Sequence, residues 1–235
     1  MKLFSVDKNS RLMYSHTTHP YMIFLNDKIG RIFFSSRNIK NQSSIFWIDV
    51  DLSDNFKVIN ISEKPSLTYS NDGSFDTDGV FVTHIIKNKK KLKMYYLGWK
   101  KKTPYPMFES FIGMAESSNL GLTFDKISNS QIKGIQKNEN NTNLLCSIIY
   151  DKGIFKMWYG DLVKWIKLKN RLQSIYNIKY ATSPDGINWK NENKVCIDNS
   201  KKILNVGHPF VTLKDSIYFM LYSVDYGRGY RIRLA

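Results

Sequence analysis

Aspartate and histidine are the residues whose placement in this chain offers chemistry. Asp76 and Asp78 stand at alternate positions of Phe75-Asp76-Thr77-Asp78-Gly79-Val80. On an extended segment alternate side chains share a face. The two carboxylates can then work together, one as base or orienting group, with charge shared across the pair. The same residues also suit an Asp-rich turn capping a strand, because Asp bonds its own backbone readily. Histidines number four, and His19 and His208 each directly precede a proline. With His16 they are candidates for a general base, a phosphate contact or a ligand donor. Their other reading is a hydrogen-bonded side chain filling a strand end. His84 lies inside an apolar strand and reads as core.

Arg37 ends the run Phe33-Phe34-Ser35-Ser36. Its two-pronged guanidinium suits a carboxylate or phosphate. Trp99, Tyr159 and Tyr222 end aromatic-rich strands where loops begin. They are candidates for stacking on a sugar ring, with buried packing as the alternative. Metal binding is not expected. Cys146 and Cys196 match no ligand spacing and read as reduced thiols, and the histidines supply too few further ligands.

Strands must position these residues. One phrase recurs: an apolar strand, a short polar turn, an aromatic strand, a loop, a third strand, a turn and a fourth. Val80–Ile86, Leu92–Trp99, Phe111–Ser117 and Leu122–Asp125 form one copy. Ser147–Tyr150, Ile154–Tyr159, Ile178–Ser183 and Ile187–Trp189 form the next. A further copy opens at His208 and runs to Ala235, and a weaker first one starts at Pro20. The spacing is roughly 60 to 65 residues, built like a propeller blade of four short strands. Turns such as Asp151-Lys152-Gly153 and Ser183-Pro184-Asp185-Gly186 carry tight-hairpin chemistry. No long segment has a helical period.

With 42% hydrophobic residues in 235, the chain can bury a sizeable core. Its formal charge of +15 comes from lysines scattered through turns. That pattern fits general surface charge, with an anionic partner as the alternative. No stretch approaches a membrane span, and the start has no apolar leader, so a cytoplasmic location is expected.

The hairpin Tyr180-Ala181-Thr182-Ser183-Pro184-Asp185-Gly186-Ile187-Asn188-Trp189 resembles the third-to-fourth strand element of five-bladed β-propellers. The proteins in question are the glycoside hydrolase family 32, 43, 62 and 130 group. Ala115-Glu116-Ser117-Ser118, with Gly121 and Phe124, is similar to the same element. Phe75–Val80, Tyr95–Trp99 and Met157–Tyr159 resemble successive elements of members linked to surface-polysaccharide biosynthesis. The resemblance implies an all-β fold of the five-bladed propeller type, with a single domain over residues 1–235. About four blades are covered; the end of the fourth and the fifth are lacking. Either the chain is an excerpt, or the segment from Lys2 to Tyr14 completes the last blade.

The resemblance also implies a site where inner strands begin, with an Asp base, a second Asp and a Glu acid on successive blades. Inverting glycoside hydrolysis needs one carboxyl to protonate the leaving oxygen and another to activate water. Here His19 replaces the first Asp, Asp78 matches the second with Asp76 beside it, and Leu144-Leu145-Cys146-Ser147 has no Glu. The nearest upstream carboxylate is Glu139. Two functions follow. One is a glycosidase-like enzyme acting on a glycosidic or sugar-phosphate linkage, with Asp78, His19 and Asp76 as catalytic groups. Arg37, His16, His208, Trp99, Tyr159 and Tyr222 would bind its substrate. The other is a catalytically degenerate glycan-binding propeller in polysaccharide assembly. Either way the expected partner is a carbohydrate, anionic or phosphorylated among the options, ahead of nucleic acid, and no cofactor is expected.

Overall fold

The computed structural model describes residues 3–6, 9–103, 108–131, 142–168, 171–200, 203–227 and 229–235. Glu139 lies outside them, as do Lys2, Asp7 and Lys8 of the N-terminal segment. Fifteen strands and no helix are found among the described residues. In order they are β1 Ser15–Phe24, β2 Ile29–Arg37, β3 Ser43–Asp51, β4 Lys57–Ile61, β5 Gly79–Asn88, β6 Lys91–Lys101, β7 Phe108–Ser117 and β8 Asp125–Gln131. Then follow β9 Asn143–Asp151, β10 Ile154–Leu168, β11 Arg171–Ser183, β12 Lys190–Ile197, β13 Asn205–Lys214, β14 Ile217–Asp225 and β15 Tyr230–Leu234.

Each of β1, β5, β9 and β13 opens an antiparallel meander. They begin at Ser15, Gly79, Asn143 and Asn205, intervals of 64, 64 and 62 residues. The strands run β1-β2-β3 with β4 beside β3, then β5-β6-β7-β8, β9-β10-β11-β12, and β13-β14-β15. A single parallel pair, Ser43 with Gly79, joins β3 to β5.

Local chemistry sets the turns. Lys152 and Gly153 both take positive φ between β9 and β10, as do Asp215 and Ser216 between β13 and β14. Two positive φ values in a two-residue loop match the right-handed twist of the flanking strands. Ser117 Oγ accepts from Gly121 N at 2.9 Å, and Ser183 Oγ accepts from Gly186 N at 2.9 Å. These are the two hairpins that the sequence pairs as one element. Asp185 accepts from the backbone of Ile187 and Asn188, which holds its carboxyl well below the usual range. Its role is the turn, as its position after Pro184 suggests.

Two compact units are present, residues 1–101 with 113–130, and residues 102–112 with 131–235. The first packs Ile23, Phe33, Ile45, Val80, Val82, Met94, Tyr96 and Phe124 into one core. A smaller cluster holds Phe34, Phe46, Ile48 and Val50. The second unit packs Trp158, Ile178, Val206, Val211, Met220 and Val224. Among the described residues no helix is long and apolar enough to cross a membrane.

The third meander departs from the sequence reading. The segment after Tyr159 is not a loop. β10 continues to Leu168 and β11 starts at Arg171, forming one long hairpin. A register shift between Leu162 and Lys164 breaks the two-residue alternation that would have disclosed it.

Candidate functional site

Four of the expected residues come together in the first unit, where β1 and β5 begin and β2 and β6 end. The His19 ring packs against Phe81, centroids 4.8 Å apart. Phe81 stacks on Trp99 at 6.3 Å and 12°. The Arg37 guanidinium lies over the Trp99 ring, 5.4 Å from its centroid. Trp99 Nε1 donates to Ser43 Oγ at 3.0 Å. The result is a continuous row of imidazole, two aromatic rings and guanidinium. Gly79 makes the row possible. A Cβ there would lie 2.0 Å from Ser43 Oγ and 2.5 Å from Trp99 Nε1.

Asp78 precedes β5 at the same place. Its backbone N–H donates to Trp99 O and its carbonyl accepts from Ser43 N. Its carboxylate accepts from Lys101 N at 2.8 Å, with Lys101 Nζ 3.7 Å away. The Arg37 guanidinium donates to Asn41 Oδ1 at 2.8 Å, and among the described residues it pairs with no carboxylate. Partial burial lowers its pKa from the ordinary arginine value. A guanidinium held by a neutral amide suits an anionic ligand.

Asp76 behaves differently. Residues 75–78 form a turn, so Asp76 and Asp78 are not alternate residues of an extended strand. Asp76 is 1% exposed. Lys126 Nζ lies 2.6 Å from its Oδ2, Ser74 Oγ donates at 2.8 Å, and Tyr96 OH donates at 3.2 Å. The carboxylate is therefore committed to the interior, because an unpaired buried charge is costly. This corrects the expectation that both carboxylates face one side.

The three histidines share a backbone feature. His16, His19 and His208 have φ of 66°, 55° and 51°. His19 falls at a register shift between Thr18 and Tyr21, and His208 at one between Gly207 and Phe210. Each bulge turns the histidine out of the regular pleat. His16 is exposed, its Nδ1 2.9 Å from Ser15 Oγ. His208 belongs to the second unit, where its ring stacks on Tyr230 at 6.4 Å and 12°. His84 sits in the core beside the Tyr21 hydroxyl, and burial pushes its pKa down to about 3.

The remaining aromatics do not end strands. Tyr159 lies within β10 and is fully buried, so its ring offers no face for a sugar. That corrects its proposed stacking role, and burial also pushes its phenol pKa up. Tyr222 lies within β14, half-buried against the second unit's core. Trp99, at 9% exposure, stacks on Phe81 and lies under the Arg37 guanidinium, so little of its ring is open.

Ser43, Phe81 and Lys101 complete the site and escaped the sequence reading. Lys101 was indistinguishable from the surrounding lysines, and Ser43 is one of many serines. Only the alternation of Phe81 with Gly79 along β5 carried a signal. Among the described residues no three His, Cys, Asp or Glu side chains gather to hold a metal.

Comparison with known proteins places the fold. No family model matches the chain. It is 30% identical over 222 residues to the uncharacterized protein Rv1502 of Mycobacterium tuberculosis strain H37Rv, covering 94% of this chain and 73% of that one. It is 28% identical to the uncharacterized protein MT1551 of strain CDC 1551, over the same shares. A solved glycoside hydrolase superposes with a TM-score of 0.71 at 14% identity, covering 91% of this chain. The chain spans 64% of that protein's length. A thermostable family-43 glycoside hydrolase gives 0.62 at 17% identity, covering 92% and 69% of the two chains. A structure titled for family 130 mannoside phosphorylases, and for hydrolases of β-1,2 mannosidic linkages, gives 0.63 at 14%, covering 93% and 66%. These likenesses show the all-β, propeller-type fold of glycoside hydrolases.

Proposed function

The chain belongs to the same family as the mycobacterial protein Rv1502, and from that membership and its glycosidase-type fold we propose a carbohydrate-active protein that acts on the sugar-phosphate linkage of an anionic saccharide. The observation that carries this reading is the row His19–Phe81–Trp99–Arg37 beside Asp78. A guanidinium that pairs with no carboxylate among the described residues, an imidazole and one carboxylate, held together by the two rings, suit a phosphorylated sugar.

A phosphate leaving group also accounts for the missing Glu. When water attacks the anomeric carbon, the carbon–oxygen bond breaks and phosphate departs as an anion. Such a leaving group needs no carboxylic acid to protonate it, unlike a sugar alkoxide. Arg37 pairs with the developing charge. His19, which stands where the resemblance places an Asp base, takes the water's proton, since imidazole exchanges protons near neutrality. Asp78, held by Lys101, orients the sugar.

Assays of glycosyl phosphates, nucleotide-sugars and aryl glycosides test this. We expect turnover of a glycosyl phosphate, reduced at least about 100-fold in His19→Ala and Asp78→Asn. Turnover unchanged by both substitutions dismisses the site. A second reading, the degenerate glycan-binding module, draws on the commitment of Asp76 to Lys126, which leaves one carboxylate beside the row. Sugar binding without turnover of any substrate supports that module.

A further inference from the structure

The loop between β2 and β3 sets how Arg37 is held. β2 ends at Arg37 and β3 begins at Ser43, and the residues between them carry three amides, Asn38, Asn41 and Gln42, and no carboxylate. No Asp or Glu occurs from Lys28 to Ile48, a stretch that also holds Arg31, Arg37 and Lys40. The loop is tied internally. Asn38 Oδ1 accepts from Lys40 N at 2.9 Å and from Gln42 N at 3.0 Å, and Asn38 N donates to Gln42 O at 2.9 Å. Side chains that satisfy nearby backbone groups in this way hold a turn in one shape. The turn places Asn41 at a φ of 63°, a region that Asn and Asp enter more readily than most side chains. From there its Oδ1 accepts from Arg37 Nη1.

Arg31, on the same strand, shows what such an arrangement is for. Its guanidinium lies over the Trp47 ring, 3.9 Å from the centroid, and its Nη1 donates to the neutral carbonyl of Leu120 at 3.0 Å. Its other edge grips a carboxylate: Nε donates to Asp49 Oδ1 at 2.7 Å and Nη2 to Asp49 Oδ2 at 2.8 Å. Arg37 repeats the first two parts. Its guanidinium lies over Trp99, and its Nη1 donates to a neutral oxygen. Where Arg31 has Asp49, Arg37 pairs with no carboxylate among the described residues. Arg37 is also only partly buried, whereas Arg31 is 5% exposed.

We propose that Asn41 is a positioning residue that sets specificity: it braces Nη1 of Arg37 without adding charge, so that the Nε–Nη2 edge takes two oxygens of a phosphate as Arg31 takes those of Asp49. This rests on the reading that the row at Arg37 receives the anionic group of the substrate. The type of residue 41 is then decisive. An aspartate there suits the same backbone and accepts the same hydrogen bond, but it neutralises Arg37 and repels the incoming anion.

Calorimetric titration of the whole chain with inorganic phosphate at low ionic strength tests this, since phosphate carries the anion without the sugar. The native chain should bind it, and Arg37→Ala should lose binding. Asn41→Asp should weaken binding at least about tenfold, with the melting temperature unchanged or raised. Asn41→Gly, which keeps the φ and removes the amide, should weaken it about threefold, the effect of one exposed hydrogen bond. A role in bracing alone predicts the opposite for Asn41→Asp, because a carboxylate is the stronger acceptor for a guanidinium. Phosphate binding that disappears in Arg37→Ala but is unchanged in Asn41→Asp overturns this inference and leaves the proposed function standing. No phosphate binding by the native chain overturns it as well. Failure to turn over any glycosyl phosphate, with phosphate affinity still lost in Asn41→Asp, upholds the inference and dismisses the proposed reaction.

Discussion

His84 makes acid sensitivity a quantitative test of the first unit's core. Burial lowers its pKa from 6.5 to about 3, while the unfolded chain leaves the imidazole near its ordinary value. Between those limits the unfolded state holds a proton that the folded state refuses. Stability from this group is whole above pH about 6.5 and declines as the pH falls, levelling off near pH 3 when the folded ring also protonates. One such group removes about 1.4 kcal/mol by pH ~5.5 and about 3 kcal/mol by pH ~4.5. That is a large share of a typical total of about 5–15 kcal/mol. His84→Asn keeps a polar atom near the Tyr21 hydroxyl, 3.2 Å from Nδ1 in the native chain, but cannot titrate. Urea denaturation of both proteins from pH 7.5 to 4.5 reads the difference. The carboxylates with lowered pKa, such as Asp151 and Asp185, give up their contribution below this window, and the other histidines cancel in the comparison. Parallel pH dependences for native and His84→Asn chains would refute the reasoning.

Two further outcomes follow from packing. Lys126→Met should cost about 3–5 kcal/mol, because it strands the deeply buried Asp76. Asp76→Asn should cost less, since Lys126, with 24% of its side chain exposed, can reach water. Chemical denaturation in which Asp76→Asn is the more damaging change contradicts that ordering. Gly79→Ala should separate Ser43 from Trp99 and weaken binding of any ligand at the row by about tenfold or more, measured by calorimetry. Unchanged affinity would show that the row does not contact ligand.

Much of the fold was legible because the strand recurrence rests on local chemistry. Turns such as Asp151-Lys152-Gly153 and Ser183-Pro184-Asp185-Gly186 are fixed by residues a few positions apart, and they formed where expected. The β10–β11 extension was hidden by a bulge, which shifts alternation out of phase without leaving a compositional trace. Of the residues expected to share one strand-end region, Arg37, Asp78 and His19 lie together with Trp99 in the first unit, whereas His208 belongs to the second, and the sequence supplied no hint of the order in which they touch. Asp76 was misread because its fate depends on Lys126, fifty residues away, and no local pattern announces an ion pair of that range. Tyr159 was misread because a strand thought to end there continues for nine more residues.

The bulged histidines restrict what mutation can place there. A residue with φ near +50° that also precedes proline pays a steric penalty in most side-chain types, and β-branched ones are effectively shut out. Asn, Asp, His and Gly are the residues that enter such a conformation most readily. At positions 19 and 208 the backbone thus works as a filter on the genetic alphabet, passing mostly short polar side chains, of which Asp and His can bind or move a proton. Exchange of an aspartate for a histidine at position 19 stays inside that narrow set. A scaffold of this kind can change its reaction by single substitutions without rebuilding the strand that presents them.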